Sequence, residues 1–245
     1  MNEPAAPITV ALRIPGKWSH PRDLIQRLPV GCRLTAEALF LPNATQLEFG
    51  ALAPDDQFAQ IFRSSCRQPA TDDELAIIDR YTVNVCLSGP GGSMQAARRM
   101  MQAGAAIVRA GGAGVFIDNS TLAHGGRHWL HMTEDGSPDA LSFAFVAIIG
   151  GPADVWTMGM HVLGLRDVVM KRADIEADDF DIVEVIRYLA RSAKPIDDGH
   201  VLADLNGPRF QVRRQDSPEG MTGSPMHNPF GRFRLVSMRD IAETN

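Results

Sequence analysis

Asp118, Ser120 and His124 lie close together in one polar segment. They are the residue types of an orienting group, a nucleophile and a general base, the set used for acyl or group transfer. Such chemistry needs the base within hydrogen-bond reach of the hydroxyl, a matter of folding rather than of sequence distance. Ser120 also lacks the Gly-x-Ser-x-Gly elbow that exposes a serine in α/β-hydrolases. In the competing reading, Asp118 and Asn119 cap a turn and His124 hydrogen-bonds locally.

A second candidate is Ser88-Gly89-Pro90-Gly91-Gly92-Ser93, a glycine-rich turn between a strand and a helix. Free backbone amides at a helix start, with glycines allowing close approach, suit a phosphate or carboxylate. Gly91, Gly92 and Ser93 are therefore expected ligand-binding residues. The turn is not a phosphate-binding P-loop, since no Lys-Ser/Thr follows, and it does not read Gly-x-Gly-x-x-Gly. The competing and plainer reading is a tight turn with Ser93 as a helix cap.

His161 sits in Trp156 to Leu165, where strand alternation would place Thr157, Gly159 and His161 on one face. Gly159 would allow another backbone or a ligand to approach closely there. His124, His128 and His131 cluster, but Gly125-Gly126 argue against the helix that would align them, and His-Glu-x-x-His is absent. No metal site and no cofactor is expected. Asp197-Asp198-Gly199-His200 and Asn228-Pro229-Phe230-Gly231 read as turns.

The elements that would position these residues follow from periodicity and punctuation. Ile8 to Ile14 reads as a strand and Pro21 begins a short helix. Arg33 to Leu41 and Gln46 to Leu52 read as strands, separated by Pro42-Asn43. Asp55-Asp56 open a helix with Phe58, Ile61 and Phe62 on its apolar face. Thr71-Asp72-Asp73-Glu74 is a capping box. A strand over Tyr81 to Leu87 contains Cys86, read as a buried filler, and Ser93 caps a long helix stopped by Gly111-Gly112. Val115 to Ile117 is the next strand.

This β-α-β-β-α-(α)-β order is compatible with a split βαβ, ferredoxin-like arrangement. Glu134 to Pro138 separates an N-terminal half, 1–133, from a C-terminal half, 139–245, unless the two form one domain. Leu141 to Ile149 is a nearly continuous apolar run, as in a strand covered on both faces. Further strands are expected at Val155 to Val162, Asp167 to Lys171, Val201 to Leu205, Arg209 to Arg214 and Arg232 to Val236. Asp178-Asp179 open a helix with the stripe Ile182, Ile186 and Leu189. Ser217 to Pro229 reads as a mobile loop. The fold class is α+β, with mixed sheets flanked by helices.

The 245 residues carry a net charge of -5 and 44% hydrophobic residues, an ordinary balance for a chain that buries a sizeable core. Mild acidity without a basic run argues against nucleic-acid binding, and Arg213-Arg214 is too small a patch to reverse that. No apolar run approaches the ~20 residues of a membrane span. Three widely spaced cysteines suggest reduced thiols, and a cytoplasmic location is expected.

Gly89-Pro90-Gly91-Gly92, Ala110-Gly111-Gly112 with Gly114-Val115, and Met160 to Asp167 follow one another along the chain, with Asp198-Gly199-His200 and Asn228-Pro229 in its later part. Over roughly residues 80 to 240 this resembles an uncharacterised bacterial domain-of-unknown-function family, the one numbered four-two-six-one. The resemblance implies a soluble α/β-type domain and brings no activity or site residue with it. Three functional readings stand. The first is binding of a small anionic ligand or a protein partner. The second is a hydrolase or group transferase using Ser120 and His124. The third is a non-catalytic interaction subunit of a secretion or toxin–immunity system.

Overall fold

The computed structural model describes residues 7–178, 181–192, 194–203 and 208–243. Its strands are β1 (Thr9–Gly16), β2 (Arg33–Leu34), β3 (Ala38–Phe40), β4 (Gln46–Leu52), β5 (Val83–Pro90), β6 (Gly114–Ile117) and β7 (Leu122–Gly125), followed by β8 (Ala147–Gly150), β9 (Asp154–Met158), β10 (Asp167–Lys171), β11 (Val201–Ala203), β12 (Arg209–Gln215) and β13 (Arg232–Ser237). The helices are α1 (Pro21–Arg27), α2 (Phe58–Ser65), α3 (Asp72–Ile78), α4 (Met94–Arg109), α5 (Gly126–Asp135), α6 (Pro138–Phe145), α7 (Arg172–Asp178), α8 (Ile182–Arg191) and α9 (Met238–Glu243). Among the described residues no helix is long and apolar enough to cross a membrane.

Val10, Leu12 and Ile14 alternate along β1 and are fully buried, as a period of two requires of a strand covered on one face. The first sheet runs β2-β3-β4-β5-β1-β6-β7, so β1, the first strand of the chain, lies inside it. Because β1 is antiparallel to both β5 and β6, those two run parallel to each other. They are joined by α4, with β1 inserted between them. β4 likewise runs parallel to β1 across β5. The order β4-β5-β1-β6 with two such crossovers is the split βαβ arrangement expected from the sequence.

The second sheet runs β11-β12-β13-β10-β9-β8 and is antiparallel except for the β10–β13 pair. Inward residues of both sheets join those of α4, α5, α6 and α8 in one apolar cluster that includes Leu12, Met100, Trp129, Phe145, Val168 and Ile186. A smaller cluster of Phe58, Phe62, Ile78, Tyr81 and Phe116 lies between α2, α3 and β6.

The helix starts follow local chemistry. Ser93 Oγ accepts from the Ala96 amide at 3.1 Å, and Gly111, at φ 112°, ends α4 where no side chain is strained. Thr71 and Glu74 form the reciprocal capping box at α3.

Several expectations are corrected. Arg33 to Leu41 is a hairpin, β2–β3, because Thr35 closes a turn onto Ala38 by both amide and hydroxyl. Leu141 to Ile149 is the second half of α6 followed by β8. Ser137 caps that helix and Pro138 occupies its first turn, a start signal that overrides a run with no readable period. α5 begins at Gly126 despite the glycine pair, because its first amides are bonded to the Ala113 carbonyl and to Glu74. Asp181, not Asp178, caps α8, whose stripe is as expected; Asp179, Asp204 and Leu205 lie outside the described residues. Cys86 is half-buried beside Arg13 and Asp118 on the face of β5 opposite Val85 and Leu87.

Candidate functional site

The segment from Asp118 to His124 is a tight β6–β7 hairpin rather than a polar loop, and its turn carries Thr121 at φ 54°. Its three candidate catalytic side chains have different partners. Asp118 accepts from Arg13 Nε at 2.8 Å. Burial raises the Asp118 carboxyl, and the Arg13 charge and hydrogen bond oppose that rise. His124 lies in β7 at 0% exposure, with Nε2 bonded to the Ala144 carbonyl oxygen at 2.9 Å and the ring against Trp129 and Phe143. Burial drives its imidazolium down to about 3, so the ring is neutral and that nitrogen donates. Ser120 Oγ is buried without a hydrogen-bond partner among the described residues. Among the described residues no hydrogen bond links Ser120 to His124 or to Asp118, the contact by which a base would activate a nucleophile.

The glycine turn and His161 do meet. β9 ends at Met158, and Gly159, at φ 103°, turns the chain into a 3-10 turn, Met160–Leu163, so His161 is not on a strand. This corrects the alternation reading: only glycine tolerates the φ that breaks the strand. Gly164, at φ 81°, lies so close that an added methyl would sit 2.5 Å from the Gly92 carbonyl oxygen. The Gly92 amide donates to the Val162 carbonyl at 3.0 Å and the Gly91 amide to Ile8 at 2.8 Å. These two donors are therefore used inside the protein, and Ser93 serves α4.

Asn119 is the centre of this seam. Its Oδ1 accepts from the Ala11 amide at 3.0 Å, while Nδ2 donates to Thr9 O and Pro225 O, both at 3.0 Å. His161 Nε2 lies 3.2 Å from the same Nδ2 and 3.1 Å from Pro225 O. Desolvation lowers the His161 imidazolium to about 4. The Ser217-to-Pro229 segment, expected to be a mobile loop, is thus tied at Pro225 to the β6–β7 turn by a part-buried hydrogen bond from Asn119, with His161 beside it.

The opposite side of that segment forms a cleft of about 260 Å³ against β9, β10 and β13. Trp156, Met158, Val169, Pro218, Met221 and Met226 supply its apolar wall. Asp167 forms the polar end. Its Oδ1 accepts from Thr157 Oγ1 at 3.1 Å and from the Met160 amide at 3.3 Å; its Oδ2 accepts from Asn228 Nδ2 at 2.8 Å. Burial raises this carboxyl to about 6, opposed by those three hydrogen bonds and by the Arg232 charge. Asn228 also donates to Leu165 O at 3.0 Å, so it does more than turn the chain. Sequence reasoning missed this site because Asp167 and Arg232, with Asn228 just before β13, meet only through the β10–β13 pairing.

A second, more polar cavity of about 330 Å³ lies beside Glu74, Gly125, His128 and His131. Glu74 is occupied at both oxygens: Oε2 accepts from the Thr71 amide at 2.8 Å and Oε1 from the Arg127 amide at 2.7 Å. One carboxylate thereby caps two helices. Among the described residues no three His, Cys, Asp or Glu side chains are placed to hold a metal. Glu74→Ala is expected to cost about 2 kcal/mol in urea unfolding, with Glu74→Gln recovering part through its remaining carbonyl. An unchanged midpoint in Glu74→Ala would remove the shared-cap role.

No family model, no curated protein and no solved structure matches this chain.

Proposed function

We propose that this protein binds a small ligand in the cleft between the second sheet and the Ser217-to-Pro229 segment. The observation that carries this reading is the composition of the cleft. A tryptophan and three methionines form one wall, and a convergent Thr157, Asp167 and Asn228 network closes the polar end. Apolar walls with a few placed polar groups are what small-molecule sites present, and methionine adapts to varied ligand shapes. At about 260 Å³ the cleft lies near the lower end of the sizes such sites have, which points to a compact ligand. The docked segment supplies Met221 and Met226 to the wall, so the same hydrogen bonds that hold it define the cleft.

Trp18 and Trp129 are buried, at 4% and 0% exposure, which leaves the half-buried Trp156 as the reporter. A binding compound is expected to change tryptophan emission in the parent protein, and Trp156→Phe should erase that change. Met226→Trp, which fills the cleft, should abolish binding while circular dichroism stays native. Binding undiminished in Met226→Trp would place the ligand elsewhere and sink this reading.

A further inference from the structure

We infer that the ligand of this cleft carries a carboxylate and that Arg232 receives it; the inference rests on the cleft being the ligand site. The polar side chains lining the cleft are Asp154, Thr157, Asp167, Ser217, Asn228 and Arg232. Five of the six have their hydrogen bonds inside the protein. Asp154 accepts from Arg234 Nη2 at 2.9 Å. Thr157 Oγ1 donates to Asp167 and accepts from the Val168 amide at 2.8 Å. Asp167 has three donors. Ser217 Oγ donates to the Asn228 carbonyl at 2.5 Å, and Asn228 Oδ1 accepts from the Phe230 amide at 3.0 Å.

Arg232 is the sixth. It stands directly across from Asp167 in the parallel β10–β13 register, yet no ion pair joins them. The Asp167 oxygens are taken by Thr157, Met160 and Asn228 instead. Arg232 Nε is buried and has no hydrogen-bond partner among the described residues. A guanidinium has only donors, so nothing but an acceptor can complete it, and a carboxylate matches its fork with two parallel hydrogen bonds. A single arginine, beside the negative Asp167, suits one planar monoanion better than a phosphate, which draws on several donors. The apolar wall of Trp156 and the methionines would then take an aromatic or branched body.

The test uses the full chain and matched probes: benzoate, phenylacetate and 3-methylbutanoate, each beside its own primary amide, titrated by calorimetry. Each acid is expected to bind about tenfold or more tightly than its amide. Arg232→Gln should remove that preference while leaving the weak amide binding, and Arg232→Lys should restore part of it. Met226→Trp should silence acids and amides alike. Acids and amides binding equally to the parent protein, or a preference that survives Arg232→Gln, would overturn the carboxylate inference and leave the cleft as a ligand site. Silence of every acid and every amide up to about 10 mM would overturn both. Should Arg232→Gln fail to fold, the parent protein's acid-to-amide ratio and the Arg232→Lys series decide the matter alone.

Discussion

Gly159→Ala is expected to destabilise the protein by about 3 kcal/mol or more, the largest single-residue effect anticipated here. Two causes add. The residue is held at φ 103°, which an L side chain rarely adopts. Its new methyl would also collide with the Phe145 carbonyl oxygen and lie 2.8 Å from Ser120 Cβ. Neither neighbour is the free end of a flexible side chain, so relief requires backbone movement where β9 meets the 3-10 turn. Gly199→Ala separates the causes: it has a similar φ of 79° but nothing within 4 Å of the added carbon. It is expected to cost only about 1 kcal/mol. Equal losses for the two variants in urea unfolding would show that the contact with Phe145 and Ser120 contributes nothing.

Acidification supplies the second large effect. His124 and His161 have imidazolium groups lowered by burial to about 3 and about 4, so the stability they contribute is present above 6.5 and lost as pH falls. Asp167, raised to about 6, acts in the opposite sense; its contribution is present below 3.8 and lost as pH rises through 6. Between pH 6 and pH 4 the unfolded chain therefore holds two histidine protons that the folded one lacks, and the folded chain holds one aspartic proton extra. These three groups leave a net difference of one proton, or about 1.4 kcal/mol per pH unit, so stability should fall by about 3 kcal/mol across that window. His124→Gln removes one of the two histidine protons and should flatten the slope. Urea midpoints across that window decide it. Stability that is flat or rising on acidification of the parent protein would mean the buried histidines accept protons without unfolding.

Local chemistry made much of the first sheet legible. The strand read over Ile8 to Ile14, the Thr71–Glu74 box and the Ser93 cap rest on signals within a few residues, and each formed, the strand as Thr9–Gly16. Reading failed where a competing local signal was passed over. Ser137-Pro138 announced α6, Thr35 folded β2 onto β3, and Gly159 ended β9 before His161. The cleft was illegible for a different reason. Asp167 reads as an ordinary strand charge, Asn228 as a turn residue and Arg232 as a strand start. Only the return of β13 beside β10, after α7, α8, β11 and β12, makes them neighbours. Asn119 was passed over for Ser120 and His124, although an amide that donates and accepts is the group a seam between backbones requires.

The position of β1 inside its sheet sets an order of events during synthesis. Val10, Leu12 and Ile14 leave the ribosome long before their neighbours, since β5 begins only at Val83 and β6 at Gly114. Until then the nascent strand has both hydrogen-bonding edges open and an apolar face uncovered, the condition that favours pairing with another chain. The hairpin β3–β4 can close locally in the interval, but it pairs with β5, not with β1. Completion of the first sheet therefore waits on long-range closure, which is slow by its loop entropy. Yield of the folded protein should depend on holding factors that shield the first strand more than on the stability finally reached.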